Sequence, residues 1–236
     1  MQINIISCVF ILDSEKNTNI RKNDIKKLKV LTNINNELPT INYEGKDLKK
    51  QVKKNISSIL GTNTFHLAQV YTMDYTDSID IIYLAVTNID NIKLKKDYKL
   101  VDYSINNNDT MIFDNKEYKY ETIEIEENNN IEYIHEIKTS NKELKRKLLS
   151  LLISYKRIRS RIDNTDIVFK FMGDIFTLED VRMVYELIKD TTVDKSNFRK
   201  KIMKYCEKTD NITDSKAGYR PSQMYKFKPL KGDKWV

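Results

Sequence analysis

The chain has 236 residues, with 41 Lys plus Arg against 34 Asp plus Glu and a formal net charge of +7. At 40% hydrophobic and 10% aromatic residues it can bury a core, which excludes wholesale disorder, and no apolar run approaches the roughly 18–20 residues that cross a bilayer as a helix. Two cysteines, Cys8 and Cys206, and two histidines, His66 and His135, exclude a disulfide framework, a cysteine-based zinc site and a multi-histidine metal centre.

The cysteine usage suits a reducing, cytoplasmic setting. Residues 3–12 are apolar and β-branched, with no basic stretch before them and no small-residue cleavage site after them. They read as a buried strand and not as a secretion signal. A shorter strand is expected at 29–34. Over 47–60, Leu48, Val52, Ile56 and Ile59 recur at spacings of four, four and three, the pattern of a helix with one apolar face, and Gly61 is suited to end it. Strands are expected at 66–73, 80–86 and 118–126, with a further short one within 93–103. Polar clusters at 106–108 and 128–130 read as turns. The first 138 residues thus form one mixed α/β unit.

A different regime begins at Ser140. Ser140 and Glu143 have capping-box spacing. The helix they open carries Leu144, Leu148, Leu151, Tyr155, Ile158 and Ile162 on one stripe, widened by Leu149, Leu152 and Ile153. So broad an apolar face packs either within its own domain or, as a connector, also against a second copy of the chain; the connector and dimerisation helix is the preferred reading, at 139–163. Thr177 and Asp180 signal a second start, and that helix runs to about Lys189. After a break at 190–193, Asp194 caps a third helix of about twelve residues, anchored by Phe198, Ile202 and Tyr205. A polar loop at 210–218 leads to an alternating strand that ends near Lys228.

Charge separates the two halves. Residues 1–139 carry a balance of −3 and residues 140–236 a balance of +10. A basic half with the order helix, short turn, helix, hairpin points to a winged helix-turn-helix and a double-stranded DNA partner. On the third helix, Arg199 can meet guanine O6 and N7 in bidentate fashion and Asn197 can read adenine. Lys195, Lys200, Lys201 and Lys204 suit phosphates, where a flexible point charge suffices, and Ser196 belongs to the same face. Arg220, Pro221 and Ser222 stand at the base of the wing.

These residues carry a resemblance. The stretches Phe176 to Glu186, Asp194 to Ile202 and Gly218 to Phe227, in that order and following Ile167 to Phe169, resemble blocks of the NrtR family, the Nudix-related transcriptional regulators. The resemblance covers about a quarter of the chain. It implies an α+β protein: a Nudix-like α/β/α sandwich with a mixed sheet over 1–138, the connector helix, and a winged helix-turn-helix over 164–236. It also implies a dimeric repressor whose effector is an ADP-ribose-like or related nucleotide or sugar-phosphate metabolite.

The Nudix box fits only as a scaffold. Gly45 and Leu48 align with its opening and Gly61 with its closing glycine. Its metal-binding core then falls on Lys54, Asn55, Ile56, Ser57, Ser58 and Ile59, where no glutamate remains. An octahedral Mg²⁺ site needs carboxylates, so neither hydrolysis nor any cofactor is expected. Lys46, Lys49, Lys50, Lys53 and Lys54 are the candidate contacts to effector phosphates; a solvated helix face is the alternative. Two further readings stay open, a divergent Nudix hydrolase of a nucleoside diphosphate derivative and a DNA-binding protein with no effector.

Overall fold

The computed structural model describes residues 2–16, 24–45, 47–106, 108–127, 130–164, 166–213 and 221–229. Strand β1 (Gln2–Glu15) is the spine of the N-terminal part. It pairs in parallel with β5 (Ser78–Asn88) and antiparallel with β2 (Ile25–Asn33) and the short β3 (Thr40–Asn42). Outward from β5 lies β4 (His66–Asp74). Beyond β2 follow β6 (Tyr98–Asn106), β7 (Thr110–Phe113), β8 (Lys116–Glu127) and β9 (Asn130–Ile137), giving the order β4-β5-β1-β2-β6-β7-β8-β9.

Residues 5–12 of β1 are all buried, because both faces of the sheet are covered. The two-residue period of the strand divides them. Ile5, Val9 and Ile11 face helix α1 (Leu48–Leu60), meeting Val52, Ile56, Ile59 and Leu60. Ile6, Cys8, Phe10 and Leu12 join the other core, which contains helix α2 (Lys142–Arg161). Burial there pushes the Cys8 thiol up to about 12, so it acts as a small apolar side chain. Asp47 caps α1 by accepting a hydrogen bond from the Lys50 amide, and Gly61 ends it at φ 66°. A Cβ at Gly61 would stand 2.7 Å from the carbonyl oxygen of Lys93, so glycine is required both for the turn and for the close approach.

The core on the α2 side does not stop at the sheet. It runs through Leu148, Leu151, Leu152, Tyr155 and Ile158 of α2 into a 3₁₀ turn (Ile167–Phe171), helix α3 (Leu178–Lys189) and helix α4 (Lys195–Met203). It ends at Tyr225 on β11 (Gln223–Phe227), which pairs antiparallel with β10 (Cys206–Ile212). The 3₁₀ turn packs on β5 and α3 packs on β2. Lys26 of β2 makes a 2.9 Å ion pair with Asp180 at the head of α3.

Four expectations change. The stripe of α2 is largely a core face of its own chain: Leu148, Leu151, Leu152, Tyr155, Ile158 and Ile162 are buried against the sheet and the C-terminal elements, while Leu144, Leu149 and Ile153 at its margins are half-buried. Asn141, not Ser140, caps α2, its side chain accepting from the Leu144 amide at 3.0 Å; Asn caps as well as Ser, and the helix begins one residue later. Helix α4 has nine residues and ends at Met203, leaving half-buried Tyr205 beyond it. Residues 210–212 belong to β10 and not to a loop, because the hairpin starts at Cys206.

Candidate nucleic-acid interface

Helix α3 is built to start sharply. Thr177 Oγ1 accepts from the Asp180 amide at 3.1 Å, and Asp180 accepts in return from the Thr177 amide at 3.2 Å, a reciprocal cap that satisfies two end donors. Asp180 is shifted down: burial pushes it up, but the Lys26 charge and the Thr177 hydroxyl outweigh that. Asp190 ends the helix in the left-handed region at φ 50°. Its last carbonyls are held by α2, since Tyr155 donates its hydroxyl to the Ile188 carbonyl and Arg159 donates to that of Lys189, both at 2.8 Å. Burial pushes the Tyr155 hydroxyl up to about 12, so it remains a donor.

After the turn, Asp194 caps α4 by accepting from the Asn197 amide at 2.8 Å. Phe198 and Ile202 are buried, and the Phe198 ring lies 5.3 Å from that of Tyr185 on α3. Because these two anchors are one turn apart, they define a single inward stripe. Lys195, Ser196, Asn197, Arg199, Lys200, Lys201 and Lys204 are all exposed. This is the geometry that groove entry needs, with the apolar anchor opposite a polar and cationic face.

The wing meets the same surface. A groove of about 320 Å³ is lined by Thr177, Leu178 and Glu179 from the head of α3, Lys195 and Arg199 from α4, and Ser222 and Gln223 at the base of β11. Ser222 is exposed and Pro221 half-buried, whereas Arg220 lies outside the described residues. The hairpin is fastened to the helices by a pair of backbone hydrogen bonds, 3.0 and 2.8 Å, between Phe176 and Tyr225.

Three residues at this surface escaped sequence reasoning. Gln223 donates from Nε2 to the carbonyls of Thr209 and Asn211, at 2.6 and 3.0 Å, closing the irregularity in the β10–β11 pairing. Glu179 accepts from both Arg182 Nε (2.9 Å) and Nη2 (2.6 Å), and lies 3.7 Å from Lys195. Its carboxyl is shifted down, chiefly by the Arg182 hydrogen bond. Asp163 sits just beyond α2 and receives donors from both α3 and α4. Only Glu179, three residues before Arg182 on one helix, had a local signal.

The candidate effector residues are less convergent. Lys49, Lys50, Lys53 and Lys54 are exposed on α1, and Lys46 lies outside the described residues. Lys50 and Lys54 line one groove with Glu44, Asp47, Gln51, Asn55 and Ser58. This outward face of α1 is where the Nudix box would place its metal ligands, and the side chains that α1 itself supplies there are amides, hydroxyls and ammonium groups; the carboxylates of the groove, Glu44 and Asp47, both precede the helix. Asp47 is already occupied as the helix cap. Among the described residues no group of three or more His, Cys, Asp or Glu could hold a metal. A larger cleft of about 870 Å³ opens where the start of α2 meets the sheet. Its lining includes Asn4, Asn36, Tyr98, Phe113, Lys116, Asn141, Arg146 and Lys147.

No curated protein sequence matches the chain. Residues 168–227 match the NrtR DNA-binding winged helix domain. Among solved structures, Shewanella oneidensis NrtR complexed with a 27mer DNA is similar with a TM-score of 0.65 and 13% identity, covering 96% of this chain and 93% of that one. A further S. oneidensis NrtR structure gives 0.62 and 12%, covering 97% and 94%. A MutT/nudix family protein from Enterococcus faecalis gives 0.64 and 14%, covering 97% and 88%. The chain therefore joins an NrtR-type winged helix, residues 168–227, to an N-terminal α+β domain, and as a whole has the fold shared by NrtR and that Nudix protein.

Proposed function

We propose that this protein is a DNA-binding transcriptional regulator, a dimeric repressor, whose N-terminal domain senses a nucleotide or sugar-phosphate metabolite of ADP-ribose type without hydrolysing it. The observation that carries the reading is α4. A segment matching a DNA-binding winged helix places Lys195, Asn197, Arg199, Lys200 and Lys204 outward over a buried Phe198–Ile202 anchor, with Ser222 of the wing on the same groove. Arg199 and Asn197 read base edges; the lysines hold phosphates.

Signal transfer runs along α2. Its first turns line the large cleft with Asn141, Arg146 and Lys147, and its last turns hold the carbonyl end of α3 through Tyr155 and Arg159. A ligand that shifts the start of α2 therefore acts on the helix pair that sets recognition. In a dimer on B-DNA, the two recognition helices must stand about 34 Å apart, so a small rotation changes affinity. The lack of glutamates on the outward face of α1 favours sensing over turnover.

The test is selection of bound duplexes from a random library, followed by binding titrations at 50–200 mM salt. A recovered palindrome, and affinity falling steeply with salt, would support the reading. Absence of duplex binding would overturn it, and divalent-dependent turnover of ADP-ribose would overturn the sensing half.

A further inference from the structure

Asp163, the second residue beyond α2, gathers donors from two helices of the winged helix. Its Oδ2 accepts from Lys189 Nζ at 2.8 Å, and its Oδ1 accepts from the Tyr185 hydroxyl and from Lys201 Nζ at 3.4 Å. The same Lys201 ammonium stands 5.7 Å from the centroid of the Tyr185 ring, whose other neighbour is Phe198. Lys201 is thus exposed along half of its side chain, with its ammonium leaning toward its own protein, against a carboxylate and an aromatic face. Burial pushes the Asp163 carboxyl up, but hydrogen bonds from Lys189 and Tyr185 outweigh it and hold it at about 2. The carboxylate stays charged throughout the physiological range.

Phe198 and Ile202 lie on one stripe, four residues apart, and partly buried Met203 packs against the same core about 100° to one side of Ile202. Lys201 lies about 100° to the other side, so its contact limits the roll of the helix in the opposite sense. We infer that Asp163 is a positioning residue of the DNA-reading surface: it holds Lys201 inward as the pin that sets the roll of α4 against α2, and Lys201 is not one of the phosphate contacts. The inference rests on the proposed duplex-binding function and reassigns a lysine that helix composition alone places with Lys200 and Lys204. It also makes the segment just beyond α2 a direct contact to α4.

The experiment compares wild type, Lys201→Ala, Lys201→Arg, Lys204→Ala and Asp163→Asn in fluorescence-anisotropy titrations on a selected and a random duplex across a salt series. Loss of a phosphate contact lowers the slope of log affinity against log salt by about 0.9. Lys204→Ala is expected to show that drop. Lys201→Ala should keep the wild-type slope while cutting the selected-to-random affinity ratio at least threefold, and Lys201→Arg should restore the ratio. Asp163→Asn should raise the slope, because the released ammonium reaches a phosphate, and lower the ratio. A slope for Lys201→Ala that falls as it does for Lys204→Ala would overturn the assignment.

Amide exchange without DNA separates this inference from the function it rests on. In Asp163→Asn the α4 amides should exchange faster than in wild type or Lys204→Ala. Unchanged exchange would sink the pin whatever the DNA result, whereas wild-type protein that ignores every duplex would sink the DNA-binding reading and the reassignment with it.

Discussion

Arg199 stands exposed midway along α4, between the buried Phe198 and the outward Lys200. Its planar fork can engage two guanine acceptors at once, which an ammonium cannot do. Arg199→Ala is therefore expected to weaken binding to the selected duplex by about 1–3 kcal/mol and to relax preference at one base pair, as measured on single-base variants of that duplex. Equal losses on selected and random duplexes would contradict the role. A second residue-scale outcome concerns Asp80, which is fully buried, accepts from Asn4 at 3.1 Å and is paired by Arg146 of α2. Arg146→Ala leaves that carboxylate unpaired and should cost about 2–3 kcal/mol, at the low end for a buried pair because the guanidinium is one-third exposed. Asp80→Asn should cost less; chemical denaturation decides between them. The outward, cationic face of α4 was legible from the order of residues along the chain, since charge, cap and anchor are local signals. Asp163 and Asp80 were not, because their partners lie 22 to 76 positions away and no local pattern encodes such pairs.

Elements with strong ends or long periodic faces were likewise legible. The helix after Asp47, the capping box at Thr177 and the start at Asp194 stand where their residue chemistry places them. Strands β3 and β7 were missed, as three- and four-residue segments too short to carry a period, and β9 was missed because it follows directly on the polar cluster at 128–130. These strands exist because the sheet supplies partners, which is a tertiary cause. Removing the α3 cap by Thr177→Ala should destabilise the protein by about 1 kcal/mol, read in thermal melts. Acid provides a second test of this region. Asp163 is held at about 2, below the roughly 3.9 of an unfolded carboxyl, and Asp180 is also depressed. A depressed carboxyl contributes its stability above the unfolded value and loses it as pH falls toward the folded one. Stability should therefore decline between about pH 4 and pH 2, and Asp163→Asn should flatten part of that decline. A mutant curve parallel to wild type would argue against the shift.

For the whole molecule, the informative fact is that one core runs from the sheet through α2 to the wing strand. A stripe on a helix says that something must cover it, but not what, and for α2 the cover proved to be the chain's own sheet and the elements that follow it. The consequence for regulation can be measured. Tyr155→Phe removes the hydrogen bond to the Ile188 carbonyl while keeping the ring among Phe10 and Tyr103. On the proposed sensing function, it is expected to shrink the factor by which the metabolite changes duplex affinity, with metabolite affinity measured separately and little altered; an unchanged factor would place the coupling elsewhere. The pair of backbone bonds joining Phe176 to Tyr225 has a similar reach. It ties the hairpin to the helices, so on the proposed duplex the two would act as one calliper of limited gape. Operators would then differ in strength not only by their letters but by how readily each stretch of duplex swells or narrows to enter it.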